Sequence, residues 1–169
     1  MMEFWIRWKQ RRRHRVIEDL EEWYSICERI VNLCGDVLHD ERLLSRDIGA
    51  VLDNIDRTIF HLRDQTPTLN IALRRQFPGM RKQINSTGEK VIRLRNATAL
   101  FLIHVQGPTP LQRQIPEERR AHYFQRALDR YGLRAQELWE EAKHELTRTR
   151  KMLDQVINQW GSNLRKKTR

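Results

Sequence analysis

Apolar side chains recur along most of this chain in steps of three and four, the spacing that lines one face of an α-helix. Between Val16 and Cys34 the seam is Ile17, Leu20, Tyr24, Cys27, Val31 and Cys34. Gly35 then fits a helix C′ residue, and Asp36 or Asp40 suits the cap of the next helix. That helix carries Leu44, Ile48, Val51, Ile55, Ile59 and Leu62. Thr66-Pro67 is expected to end it, because a residue before proline avoids the helical region. Residues 67–79 predict a short helix and a turn closed by Pro78-Gly79.

A third long helix fits Met80 to Val105, with Ile84, Val91, Thr98, Leu102 and Val105 inward. Gln106-Gly107-Pro108-Thr109-Pro110 stops it, and Pro116-Glu117-Glu118 starts another, with proline in the first turn and acids at the positive end of the dipole. The last seam is the longest: Phe124, Leu128, Tyr131, Ala135, Leu138, Ala142, Leu146, Thr149, Leu153, Val156 and Trp160. Gly132 lies inside it at a cost of ~1 kcal/mol relative to alanine, so it marks a candidate break.

Each seam needs a partner. The expected fold is all-α: an elongated antiparallel bundle of about four long amphipathic helices with coiled-coil-like seams. Coiled-coil hairpins that complete their core by dimerising are the alternative. The expected organisation is an aromatic and basic arm over residues 1–15, a helical bundle domain over 16–163, and a basic C-terminal tail over 164–169.

Composition narrows the class. The longest apolar run, Ala97 to Val105, is about half of the ~20 residues a membrane span needs. Residues 1–15 lack the apolar core of a signal peptide, so a cytoplasmic protein is expected. Cys27 and Cys34 lie two turns apart on one helix, about 10 Å between Cα atoms, too far for a disulfide.

Charge is unevenly placed. Residues 1–15 carry six basic side chains against one acidic, and residues 16–64 carry five against twelve. Residues 65–116 carry eight against one, and residues 147–169 carry seven against one. The outward face of the third helix reads Lys82, Ser86, Lys90, Arg93 and His104, opposed only by Glu89, and Arg74, Arg75 and Arg81 extend it through the preceding turn. Such a basic stripe suits DNA, RNA or another polyanion, and arginine adds bidentate phosphate contacts. It also suits internal pairing with the acidic first hairpin.

Two further surfaces are candidates for docking. Phe4, Trp5 and Trp8 share a face at the N-terminus and run into Arg11, Arg12, Arg13 and Arg15, a pattern for a membrane interface or a groove on a partner. Leu100 lies opposite the inward seam of the third helix, within an all-apolar stretch from Ala99 to Ile103, and needs cover of its own.

Catalytic chemistry is not signalled. No nucleophile elbow or phosphate-binding glycine loop occurs. Glu141-x-x-His144 and Asp36-x-x-His39 have the ligand spacing of di-iron bundles, yet at ~100° per residue both histidines project away from their seams. No metal, no cofactor and no enzymatic activity are expected. The expected function is a non-enzymatic binding or scaffold subunit of a larger assembly, contacting nucleic acid or another polyanion through a basic helix. The alternatives are a membrane or protein adaptor docked by the N-terminus, and a structural coiled-coil homo-oligomer. Other protein subunits are the expected partners, with DNA or RNA, a membrane surface and a second copy of the chain as further candidates.

Overall fold

The structure, a computed structural model, describes residues 2–39, 48–74, 77–106, 119, 122 and 125–165. Four long helices carry the fold: α1 (Met2–Leu38), α2 (Ile48–Leu73), α3 (Pro78–Gln106) and α4 (Leu133–Arg165), the last entered through a π-helical turn at Leu128–Gly132. No strand occurs among the described residues. Cross-contacts fix an up-and-down antiparallel order. Trp23 meets Thr66 between α1 and α2, and Asn70 meets Asn85 between α2 and α3. Gln83 meets Thr149 between α3 and α4, and Arg150 lies over the Tyr24 ring between α4 and α1. α3 touches all three other helices, with α1 and α3 on the short diagonal of the cross-section. The chain is the all-α bundle its seams predict.

On α1 the buried apolar positions are Leu20, Trp23, Cys27, Ile30, Val31, Cys34 and Val37. The expected seam holds at Leu20, Cys27, Val31 and Cys34, while Ile17 and Tyr24 are half-buried and Trp23 and Ile30 widen the buried face. Trp23 has no exposed surface, and its indole N–H donates to Thr66 Oγ1 at 2.9 Å. Thr66 in turn donates to the Leu62 carbonyl at 2.6 Å. This answers the expected stop at Thr66-Pro67: α2 instead runs through Pro67 to Leu73. Proline inside a helix costs ~3 kcal/mol, but Leu69 and Leu73 beyond it are almost fully buried, each contributing roughly 1.5–3 kcal/mol. The seam Ile55, Ile59, Leu62, Leu69, Leu73 therefore outweighs the break. Pro78, expected in a turn, opens α3 at its first helical position, where its missing N–H costs nothing. Residues 40–47, 107–118 and 123–124, where the second cap, the Pro116 helix start and Phe124 were expected, lie outside the described residues.

Gly35 does not end α1 either. It sits inside the helix, where a Cβ would lie 2.6 Å from Trp139 Nε1. Its bare Cα is a notch for that indole, which donates to the Val31 carbonyl at 3.0 Å. Gly88, inside α3, is the opposite case: a Cβ there meets nothing closer than Trp23 Cζ2 at 3.8 Å. Gly35→Ala is expected to lower stability by about 1–2 kcal/mol through overpacking, and Gly88→Ala to raise it by up to ~1 kcal/mol through helix propensity. Chemical denaturation of the two variants checks both signs.

The candidate break at Gly132 is the π turn. Leu133 N–H bonds to the Leu128 carbonyl, five residues back. The wider turn takes extra chain to close, so the buried face slips and Ala127, not Leu128, is buried. Gly132 faces Phe101, whose ring would touch a Cβ at 3.4 Å. Ala127 and Phe101 belong to a second core cluster with Val37, Leu102 and Val105, at the end of the bundle opposite the start of α1.

Both cysteines are buried and free. Burial pushes the Cys27 thiol far up, and pushes Cys34 up to about 11 despite the nearby Thr98 hydroxyl and Arg95 charge. Neither is a thiolate at neutral pH, so both behave as small core hydrophobes.

Candidate polyanion-binding end of the bundle

Antiparallel packing brings three segments to one end: the start of α1, the α2–α3 corner and the end of α4. Trp160 of α4 is the hub. Its ring, 6% exposed, meets Phe77 of the corner edge-on at 5.0 Å, and the Arg13 guanidinium of α1 lies over it at 5.9 Å. Leu73 and Met80 are buried in the same cluster, with Val16 and Ile17 packed against it. Each basic segment thus sits beside the others because apolar residues next to it share one patch of core.

The cations of the α1 start, the α2–α3 corner and the start of α3 are Arg7, Lys9, Arg11, Arg12, Arg13 and Arg15 on α1, Arg74 after α2, and Arg81 and Lys82 on α3. Arg13 and Arg81 are half-buried and the other seven are exposed. Among the described residues, none of the nine is in an ion pair with an acid. Glu18, three residues beyond Arg15 on α1, engages His14 at 3.2 Å. Unpaired like charges crowded at one end repel each other, and an anionic partner relieves that repulsion.

The stripe expected along α3 divides differently. Lys90, assigned to the outward face, is half-buried and bonds to Glu145 Oε2 at 3.2 Å; Ser86, placed with it, donates to Glu145 Oε1 at 2.9 Å. The inward seam alone defined that wheel, whereas α4 packs on the flank carrying both residues and widens the covered arc. Arg93 is exposed and pairs with Glu89 one turn back on its own helix. Arg95 pairs with Asp56 of α2, the link to the acidic hairpin on this face. Lys82, Arg74 and Arg81 join the basic end, and Arg75 lies outside the described residues. Leu100 is 50% exposed, with Ile103 beside it at 54%.

Glu145 organises a polar layer between α3 and α4 that the seams did not announce. Gln83 Nε2 donates to Glu145 Oε1 at 2.8 Å and to Thr149 Oγ1 at 3.1 Å. Thr149 donates to the Glu145 carbonyl at 2.8 Å, so in the 2.7 Å contact between the Thr87 and Thr149 hydroxyls the proton comes from Thr87. Burial raises the Glu145 carboxyl, but hydrogen bonds from Ser86, Lys90 and Gln83 and the Lys90 charge outweigh it, and the net effect is a lowered pKa. Thr87 and Thr149 at inward positions were the available sequence signal.

His144 and Glu141 lie exposed on α4, and Asp36 and His39 lie exposed at the end of α1, with the His39 ring against Trp139 at 4.8 Å. No group of three His, Cys, Asp or Glu is placed to hold a metal among the described residues. No described helix is long and apolar enough to cross a membrane.

Compared with known protein families, curated proteins and solved structures, the chain matches none of them.

Proposed function

We propose that this protein is a helical docking or scaffold subunit, a binding protein rather than an enzyme, that holds a polyanionic partner at the basic end of its bundle. The observation carrying this reading is the gathering of nine cations from α1, the α2–α3 corner and the start of α3 at one end of the bundle, with no acid paired to any of them among the described residues. Seven of the nine are exposed, and the five of them on α1, from Arg7 to Arg15, span about 12 Å of helix. Arginine dominates the set, and its planar fork donates to two phosphate oxygens at once. The inward seams are filled by the chain's own four helices, which favours a surface partner over self-assembly through those seams.

The test is a salt titration of binding to duplex DNA, single-stranded RNA and heparin, followed by fluorescence anisotropy. Counterion release makes log affinity fall linearly with log salt, by about −0.7 to −0.9 per phosphate contacted. Four or more contacts predict a slope steeper than about −3, similar for all base sequences because phosphate contacts carry no sequence information. Absence of binding to every polyanion, anionic lipid included, at low salt sinks the reading.

A further inference from the structure

α1 is longer than the bundle it belongs to. Its residue partners run antiparallel: Trp23 opposite Thr66, and Arg13 opposite Trp160. On that pairing α2 gives out near Val16. Asn85 of α3 meets Asn70 and so lies level with about Asp19, which puts the start of α3 near Arg12, and the described end of α4, Arg165, comes level with about Trp8. The first turns of α1 accordingly stand beyond the described ends of the other helices. Burial agrees: no residue from Phe4 to Arg15 is buried, and the first fully buried side chain is Leu20.

This projection is segmented along its axis. Phe4, Trp5, Ile6 and Trp8 form the tip, exposed at 75%, 58%, 42% and 48%. Arg11, Arg12, Arg13 and Arg15 form a collar behind it. At ~100° per residue, Phe4, Trp8, Trp5 and Ile6 spread over about 200° of the circumference, and the exposed Arg7 occupies the remaining flank, from which its long side chain can reach back toward the collar. The collar follows the tip by about seven residues, or about 10 Å of helix. Apolar groups of interfacial helices enter the boundary between headgroups and acyl chains by roughly 5–10 Å. Tip and collar are therefore spaced like the apolar boundary and the phosphate layer of one leaflet.

The rings are also dressed for lipid and not for bases. Lys9 Nζ stands 4.2 Å over the Trp5 ring, and the Arg12 guanidinium stands 5.4 Å over Trp8. The two indoles lie 5.9 Å apart and tilted by 49°. A stacking platform for single-stranded nucleic acid needs open ring faces, whereas these carry cations and cannot sandwich a base between them. Indole beside a cation is the pairing that suits headgroup depth, where the ring meets glycerol and the cation meets phosphate.

We infer that the protruding start of α1 inserts tip-first into an anionic lipid bilayer, with Phe4, Trp5 and Trp8 entering the leaflet and Arg11, Arg12 and Arg15 meeting its phosphates. The inference rests on the polyanion reading above and names its partner as a membrane surface. Arg74 and Lys82, at the same end, add to the attraction once the tip is seated.

The test is flotation of the full-length protein with phosphatidylcholine vesicles, with and without phosphatidylserine. The wild-type chain should float with the anionic vesicles only and release at high salt. Its tryptophan emission should shift to the blue on binding. F4A/W5A/W8A should keep the melting temperature, because no altered residue is in the core, and lose on the order of a hundredfold in vesicle affinity. The same variant should bind heparin within a few-fold of wild type, since its cations are intact. Equal flotation of variant and wild type overturns the tip-first insertion. Wild-type binding to DNA, RNA or heparin without binding to anionic vesicles overturns it too and leaves the polyanion reading standing. Loss of RNA binding in F4A/W5A/W8A, with no vesicle binding by wild type, would make the tip a base-stacking element and overturn the inference in favour of RNA. Binding to none of these ligands removes both readings.

Discussion

Replacing Arg74, Arg81 and Lys82 together with glutamate should weaken heparin and duplex DNA binding by about a thousandfold at 0.1 M salt. A phosphate contact with a salt slope of about −0.9 is worth roughly tenfold at that concentration, and three are removed. Lys90→Glu with Arg93→Glu should behave differently. Arg93 already has Glu89 as its partner, and Lys90 has Glu145, so neither cation is free to meet a phosphate in the folded chain. Binding should change only a few-fold, and the melting temperature should fall, because Lys90→Glu sets two carboxylates against each other at the α3–α4 contact. A folded K90E/R93E protein that loses as much affinity as the corner variant would return the site to the middle of α3.

Glu145→Ala should cost about 3 kcal/mol, at the lower end of the range for removing one member of a buried pair, because Lys90 keeps contact with water. The loss also leaves Gln83 Nε2 and the Ser86 hydroxyl without their acceptor in a protein interior. pH supplies an independent check. The folded state holds the Glu145 carboxyl below its ordinary value, so the carboxylate stabilises the fold at neutral pH. That contribution should be present above the unfolded carboxyl's pKa and lost as pH falls through the lower folded one. Glu145→Gln keeps the shape and cannot titrate, and its stability should stay flatter over the same acidic window. Parallel acid titrations of the two proteins by circular dichroism would show the difference; identical curves would mean that Glu145 titrates unperturbed.

The helical seams were legible because period 3.6 is a local property, and Ile84, Val91, Leu102, Ala142 and Leu153 are buried where their spacing put them. Single residues with strong local habits misled. Proline at 67 and glycine at 35 read as stops, yet each lies where packing on both sides of it, through Leu69 and Leu73 or through Trp139, outweighs the habit. The wheel of α3 failed at Ser86 and Lys90 because a helix in contact with three others has more than one covered flank. The basic end was recoverable in principle: antiparallel order alone sends the start of α1, the α2–α3 corner and the end of α4 to one pole. Read as separate stretches of charge, they gave no sign of the hub at Trp160. The π turn was only half visible, since Gly132 marks a weakness without saying which way the chain resolves it.

The polar layer has one further consequence, for register. Slide α4 along α3 by one heptad, about 10 Å, and the apolar seams mesh almost as well as before, Leu against Ile in place of Leu against Val. The hydroxyls do not. Thr87 would then face Ala142 or Val156, and Thr149 would face Leu94 or Met80, each buried without the partner it has now. An unpaired buried polar group costs about 1–3 kcal/mol, and Gln83 and Glu145 would add theirs. Hydrocarbon holds α3 and α4 together; four polar side chains decide at which notch they lock, and refuse a foreign helix that does not bring the same four.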